Sequence, residues 1–296
     1  MSVELKQHHI TGEKTGPNLL ITGGVHGDEF EPMAAIRRLA ANPPELKRGS
    51  VTLVPCVNKD AFLRGHRCAS DGLDLARTCP GNTDGSLTER TASALSELIC
   101  RADYYIDLHT GGTEFSIYPL AGYMLHSNTA VLEQQRVMAN AFNLPIVWGT
   151  SAALEGRSLS VARDADVPAI YCEFGGSATC STMGTEAYVE GCLNVMAALH
   201  MVDRQVSVKA VHHIIEDRHP DSGHLQVCNP SPVDGFFESA VVLGQQISAG
   251  TELGHVVALT DGSVRYIQSP HAGLVIMLRT FPRVRAGESV GVVLQM

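Results

Sequence analysis

Roughly the first two-thirds of the chain alternates short apolar runs with longer stretches in which apolar residues recur every three or four positions. The short runs predict buried strands, and the recurrent spacing predicts amphipathic helices. Strands are predicted at residues 18–22, 50–56, 104–108, 145–148 and 168–174, and helices at residues 32–41, 87–101, 129–142 and 184–202. Because strands and helices alternate, the pattern indicates an α/β sheet with helices on its faces.

The pattern changes after residue 203, where long helical spacing disappears. Short β-type runs separated by glycine and proline follow at residues 206–215, 235–242, 252–258, 264–267, 273–278 and 289–294. Residues 218–234 are rich in glycine and proline and are expected to contain a connecting loop. The sequence therefore predicts two domains, an α/β domain at residues 1–203 and a small all-β domain at residues 204–296.

Composition narrows the class of protein. Hydrophobic residues make up 44% and charged residues 18% of 296, which is typical of a globular chain. The net charge of −9 and the lack of a basic run argue against a nucleic-acid partner. No apolar stretch reaches the roughly 20 residues of a membrane span, and residues 1–7 carry no export signal, so a cytoplasmic protein without a membrane partner is expected.

Cysteine spacing gives little support for disulfides or for a structural zinc site. None of the eight cysteines forms a C-x-x-C pair, and the chain is long for a disulfide scaffold. Reduced and mostly buried thiols are the favoured interpretation.

A glycine-rich turn after the first predicted strand, Gly-Gly-Val-His-Gly-Asp-Glu, carries the first candidate chemistry. Its His26 and Glu29 project from the carboxyl end of the strand, the edge where open parallel sheets build their sites. An imidazole and a carboxylate on one turn can bind a single cation such as zinc. The alternative is that both side chains only cap the following helix.

Two further strands end in the same way. The strand at 104–108 leads into Asp107-Leu108-His109 and two glycines, and the strand at 168–174 carries Glu173 before two glycines. Asp107 lies on the same strand face as His109 and could orient it. A carboxylate in a buried apolar strand is costly unless it is paired or works beside a metal as a general base. The alternatives are that His109 is only a structural histidine at a strand end and that Glu173 forms a structural ion pair.

Between these strands lies a polar loop with two notable arginines, Arg67 and Arg77. A guanidinium group suits carboxylates and developing oxyanions, although most loop arginines are only solvated.

Taken together, these motifs resemble the succinylglutamate desuccinylase/aspartoacylase family, which is related to the zinc carboxypeptidases. The order is H-x-x-E, N-x-x-A, R…D-L-x-R-x-x-P-G, D-L-H-[ST] and E-x-G-G, over residues 19–176. The resemblance implies a zinc-carboxypeptidase-like mixed sheet with helices on both faces. It also implies that His26, Glu29 and His109 bind one zinc ion per chain, and that Glu173 is the general base.

The same resemblance assigns roles around the substrate. Arg67 is expected to polarise the scissile carbonyl, and Arg77 to grip the substrate carboxylate. Asn58, the asparagine of N-x-x-A, is assigned with Arg77 to substrate binding. The chain departs from the family pattern D-L-N-R-x-F-P-G at Ala76 and Cys79. Loss of the asparagine amide at position 76 is expected to weaken carboxylate recognition, at ~1 kcal/mol per hydrogen bond.

Residues 235–257 and 269–288 resemble the two halves of a biotinyl/lipoyl-like barrel-sandwich. A carrier role needs an acylated lysine, and no lysine follows Lys209. This β domain is therefore expected to be a scaffold that shapes or covers the mouth of the site.

The sequence thus predicts a zinc-dependent hydrolase that cleaves the amide bond of a small N-acyl amino acid or related N-acyl amine. Alternatives are an ester hydrolase or a carboxypeptidase with the same site, or a non-catalytic small-molecule-binding protein that keeps a relic site. The sequence leaves a homo-oligomer open.

Overall fold

The computed structural model describes residues 3–206, 211–220, 222–223, 225 and 228–295. The strands are β1 (His8–Thr11), β2 (Lys14–Thr22), β3 (Arg48–Val54), β4 (Tyr104–His109), β5 (Phe115–Met124), β6 (Ile146–Thr150), β7 (Ala169–Gly176), β8 (His213–Glu216), β9 (Gly235–Ser239), β10 (Gln246–Ile247), β11 (Glu252–Ala258), β12 (Val264–Gln268), β13 (Gly273–Arg279), β14 (Arg283–Val284) and β15 (Gly291–Leu294). The helices are α1 (Phe30–Ala41), α2 (Lys59–Arg64), α3 (Leu87–Cys100), α4 (Thr129–Phe142), α5 (Ser158–Asp164) and α6 (Thr182–Ala198), with a short 3₁₀ helix at Leu75–Arg77.

The main sheet is mixed. Among the described residues it contains eleven strands, with the order β1-β3-β2-β4-β7-β5-β13-β10 along its principal path. Strands β3, β2, β4 and β7 are parallel, whereas β5 is antiparallel to β7. The parallel centre brings the carboxyl ends of β2, β4 and β7 to one edge, as the sequence predicts.

Helices cover both faces of this sheet. One core cluster packs α1, α4 and α6 against the sheet through residues such as Ile36, Met138 and Tyr188. A second cluster packs α3 and α5 on the opposite face through residues such as Leu95 and Leu159. The predicted α/β architecture with helices on both faces is confirmed.

The C-terminal region is all-β, as predicted, but it shares the main sheet. Strands β9, β11, β12 and β14 form a separate four-stranded sheet. Strand β13 instead pairs with β5, where Met277 lies opposite Ile117, and β10 and β15 pair with β13. The domain boundary at 203/204 stays a prediction, and part of the strand predicted at 206–215 lies outside the described residues.

Two further features bear on the class of protein. In the described part of the chain, no helix is long and apolar enough to cross a membrane. The eight cysteines all lie in the described residues and form no disulfide, but only Cys79, Cys172 and Cys192 are buried, so the expectation of mostly buried thiols holds only in part.

Candidate active site

The candidate metal ligands come from two neighbouring parallel strands. His26 and Glu29 lie in the turn between β2 and α1, and Glu29 is the N-cap residue of α1. His109 is the last residue of β4, and Glu173 on β7 is its register partner. Because these strands run in the same direction, all four side chains reach the same edge of the sheet.

The turn that carries His26 depends on close backbone packing. A Cβ atom at Gly27 would lie only 2.0 Å from the carbonyl carbon of Ala61 in α2, so only glycine fits there. Gly24 has φ +66, a conformation that glycine adopts without strain. The glycines of this turn thus let it fold tightly against α2 and hold His26 over the sheet edge.

Two imidazoles face a single carboxylate. His26 Nδ1 lies 2.6 Å from Glu29 Oε1, and His109 Nδ1 lies 3.0 Å from Glu29 Oε2. The two imidazole ring centroids are 5.3 Å apart. One ligand atom from each of the three residues falls within 4.8 Å of the others, and all three residues are buried. A buried donor set of two imidazoles and one carboxylate fits a zinc ion.

Each imidazole also lies beside a second carboxylate, at the ring nitrogen that does not face Glu29. His26 Nε2 lies 3.1 Å from Asp74 Oδ1, and His109 Nε2 lies 3.1 Å from Asp107 Oδ2. Asp107 also accepts hydrogen bonds from the hydroxyl groups of Thr22 and Ser158. Carboxylates in this position orient a metal-binding imidazole and increase its basicity.

The pKa values of Glu29 and His109 depend on the charged groups around them. Burial opposes ionisation of Glu29, but the imidazoles of His26 and His109 hold the pKa of its carboxyl well below the usual range. Burial would lower the pKa of His109, but Asp107 and Glu29 raise it well above the usual value. The two flanking carboxylates therefore favour a positive charge at this position, whether a proton or a metal ion carries it.

Among the carboxylates in the described lining of the cavity, only Glu173 has a buried oxygen without a hydrogen-bond partner. Its Oε2 is buried and has no hydrogen-bond partner among the described residues. Burial raises its pKa to about 8; His109 opposes this shift and Glu29 adds to it. Glu173 lines the same cavity as the ligand group, so its free oxygen is available to a molecule inside.

Arg67 is held beside the ligand group by Asp74. Its Nε and Nη2 donate to Asp74 Oδ2 at 3.1 and 3.0 Å, and Nη1 lies 3.3 Å from His26 Nδ1. Asp74 therefore positions both an imidazole and a guanidinium. No role was predicted for Asp74, although it belongs to the D-L-x-R motif.

A cavity of about 110 Å³ adjoins the cluster. Ligand residues, Glu173, Arg67 and Arg77 all contribute to its lining, and so do Ala76 and Arg157. Burial lowers the pKa of Arg77 to about 10, and repulsion from the neighbouring guanidinium of Arg157, which lines the same cavity, contributes to this shift. Arg157 is the N-cap residue of α5, and its side chain contributes to the cavity lining.

The remaining predicted residues lie away from the cavity. Asn58 is the buried N-cap residue of α2, where its side chain accepts a hydrogen bond from the backbone of Ala61. Asn58 is absent from the described lining of the cavity, and its assignment to substrate binding stays a prediction. Cys79 packs in the core beneath α3.

Comparison with known proteins agrees with the motifs. A model of the succinylglutamate desuccinylase/aspartoacylase catalytic domain matches residues 15–199. The N-alpha-acetyl-L-2,4-diaminobutyric acid deacetylase of Halomonas elongata is 29% identical over 288 residues, covering 94% of this chain and 82% of that protein.

Solved structures are similar over nearly the whole chain. The product-bound ectoine utilization protein EutE (DoeB) from Ruegeria pomeroyi has a TM-score of 0.87 at 26% identity, covering 98% of this chain and 88% of that one. A succinylglutamate desuccinylase/aspartoacylase from Rhodobacter sphaeroides has a TM-score of 0.86 at 25% identity, covering 99% and 90%. The resemblance found in the motifs is confirmed, and the chain belongs to the succinylglutamate desuccinylase/aspartoacylase family of deacylases.

Proposed function

We propose that this protein is a zinc-dependent hydrolase that cleaves the amide bond of a small N-acyl amino acid. One observation carries the proposal. His26, Glu29 and His109 present their ligand atoms together at the wall of a cavity that also receives the unpaired oxygen of Glu173. The relationship to a protein named as an N-acetylated amino acid deacetylase supports the same reaction class.

One zinc ion per chain fits the three ligand residues. Such an ion supplies a Lewis acid that polarises an acyl carbonyl and lowers the pKa of water. The outer carboxylates of Asp74 and Asp107 fix the orientation of the two imidazoles, so the ligand atoms are positioned before the ion arrives.

Glu173 acts as the general base and then as the general acid. Its Oε2 takes a proton from the attacking water and passes it to the nitrogen of the leaving amine. Burial makes this carboxylate a stronger base than an exposed glutamate, which favours proton transfer near neutral pH. A cation at the ligand group would lower its pKa from about 8 and keep more of it ionised.

Arg67 stabilises the negative charge that develops on the carbonyl oxygen. Asp74 holds its guanidinium through two donors, so the group does not have to reorganise during the reaction. Nη1, the nitrogen that Asp74 does not bind, lies on the side of the ligand group, 3.3 Å from His26 Nδ1.

Arg77 and Arg157 bind the substrate carboxylate. Both line the cavity, and their closeness favours an anion between them. Ala76 lines the same region and offers no amide, so carboxylate recognition depends on the guanidinium groups.

The C-terminal region completes the cavity. Met277 on β13 is part of the lining, as are Gly223 and Leu225. These lining residues support a role for the C-terminal region in shaping the mouth of the site.

The decisive experiment is a hydrolysis screen on the zinc-loaded, full-length enzyme. The panel contains N-acetyl amino acids and matched esters, with zinc content measured in parallel. We expect amine release, and we expect Glu173→Gln to keep its zinc but lose about 10²–10⁴-fold in kcat. Stoichiometric zinc without turnover of any compound would favour a non-catalytic binding protein. A Glu173→Gln enzyme as fast as the parent would remove Glu173 from the mechanism.

A further inference from the structure

One side of the cavity is an apolar wall, defined here by five residues. All five pack in a single cluster that joins the α/β sheet to the C-terminal region, and all five line the cavity: Phe115, Ile117, Tyr171, Leu225 and Met277. Ile117 and Met277 are direct partners across β5 and β13, so their side chains lie next to each other. The wall is thus built into the sheet and does not depend on a surface loop alone.

Tyr171 reinforces this wall beside the reacting groups. It lies two residues before Glu173 on β7, so both side chains point to the same face. A Cβ atom at Gly122 would lie 2.2 Å from the Tyr171 ring, so the ring occupies the space that glycine leaves. The ring of Tyr171 therefore packs against Gly122 of β5 and lines the same cavity as Glu173.

A second apolar surface lies among the other lining residues. Ala76, Leu154 and Leu159 line the cavity and pack with the core cluster beneath α3 and α5, which Tyr171 also contacts. Where the family motif has an asparagine, this chain therefore has a methyl group within an apolar environment.

Two of the three carboxylates in the described lining already have partners. Glu29 lies between the two imidazoles, and Asp107 is bound by Thr22, Ser158 and His109. Glu173 is the remaining one, and it is the proposed base. Three guanidinium groups, those of Arg67, Arg77 and Arg157, share the same lining. The described part of the cavity is therefore unfavourable for an ammonium group.

We propose that this cavity selects N-acyl amino acids that carry one carboxylate and are otherwise uncharged and apolar. The inference rests on the proposed deacylase function and specifies its substrate class. A charged group placed against the apolar wall would lose its hydration without gaining a partner. An apolar side chain or acyl chain would bury its surface there while its carboxylate meets Arg77 and Arg157.

Matched substrate pairs test this selectivity on the zinc-loaded, full-length enzyme. N-acetyl-L-norvaline and Nα-acetyl-L-2,4-diaminobutyrate have the same number of heavy atoms, but only the second has an ammonium group. N-acetyl-L-leucine and N-acetyl-L-aspartate, and 4-methylpentanoyl-L-leucine and succinyl-L-leucine, form equivalent pairs for a second carboxylate. We expect the uncharged member to have a kcat/KM at least about tenfold higher in each pair.

The outcomes separate the two proposals. An equal or better rate for the charged member of any pair overturns the apolar selectivity and leaves the deacylase function intact. Absence of turnover for all six compounds, with zinc bound, overturns the deacylase function itself.

Met277 provides a test within the wall. Met277→Glu places a carboxylate there, and Met277→Gln is its uncharged control of similar length. We expect both variants to lose norvaline activity, and only Met277→Glu to shift the diaminobutyrate/norvaline ratio upward, by about tenfold or more. An unchanged ratio in a folded Met277→Glu enzyme would show that the substrate does not contact the wall. If thermal unfolding shows that this variant does not fold, the wild-type substrate pairs still decide the question.

Discussion

Asp107 Oδ2 lies 3.1 Å from Nε2 of His109, on the opposite side of the ring from Glu29. The pair comes from one strand, two residues apart, and the parallel neighbours of β4 bury it on both sides. The strand therefore supplies a candidate metal ligand together with a carboxylate beside it. The tautomer and the ring position of His109 depend on this carboxylate.

Substitution of Asp107 by asparagine is predicted to weaken zinc binding about 10–100-fold, because the amide no longer increases the basicity of His109. The measurement is a competition titration against a chelator of known affinity. Ser158→Ala is the control, since it removes one hydrogen bond to Asp107 and keeps its charge. Equal zinc affinities for Asp107→Asn and the parent would contradict the role given to Asp107.

Zinc affinity is predicted to increase with pH through the neutral range. Burial lowers the pKa of His109, but Asp107 and Glu29 raise it above its usual value, so zinc competes with a proton at this imidazole. Zinc must displace this proton, and its affinity therefore falls by up to about tenfold for each unit of decreasing pH. Chelator competition at several pH values measures the slope, and proton release can be followed in weakly buffered solution. A flat profile between pH 6 and about 8 would contradict a protonated His109.

Substitution of Ala76 by asparagine is predicted to improve the binding of N-acyl amino acids. The amide would add one or two hydrogen bonds at ~1 kcal/mol each, which corresponds to about a fivefold lower KM for one bond. Steady-state kinetics with N-acetyl-L-leucine measures this change. Ala76→Leu is the matched control, because it has a similar shape without the amide. A KM for Ala76→Asn no lower than that of Ala76→Leu would show that the substrate carboxylate lies elsewhere.

Substitution of Gly122 by alanine is predicted to destabilise the fold by about 1–3 kcal/mol. The new methyl group would lie 2.2 Å from the ring of Tyr171, its register partner on β7. Urea denaturation measures the free energy of unfolding. In a double-mutant cycle with Tyr171→Ala, the cost of Gly122→Ala should fall, because the ring that it meets is gone. Strictly additive effects would contradict the contact.

The strand-end motifs indicated which residues would come together at the candidate metal site. His26, Glu29, His109 and Glu173 follow apolar runs that become parallel strands, and parallel topology by itself brings their ends together. Local spacing is enough for this inference, because each motif contains both its strand and its polar residues.

Other parts of the site depend on contacts that spacing does not reveal. Arg157 and Asp74 lie in polar loops, and only tertiary packing brings Arg157 into the cavity lining and Asp74 against His26 and Arg67. Strand β5 was not predicted, because Pro119 and Gly122 interrupt its apolar pattern; the register with β7 shifts between Ile117 and Leu120. The pairing of β5 with β13 joins residues far apart in sequence, which periodicity cannot indicate.

The shared sheet also restricts how a ligand can enter and leave. Backbone hydrogen bonds tie β13 to β5, and Glu114 beside β5 forms ion pairs with Arg279 and Arg283. A hinged opening of the C-terminal region would have to break the hydrogen bonds between β5 and β13 and separate these two strands of the main sheet. Exchange of a ligand is therefore expected to involve local movement at the rim of the cavity, and removal of β13 would take Met277 out of the cavity lining.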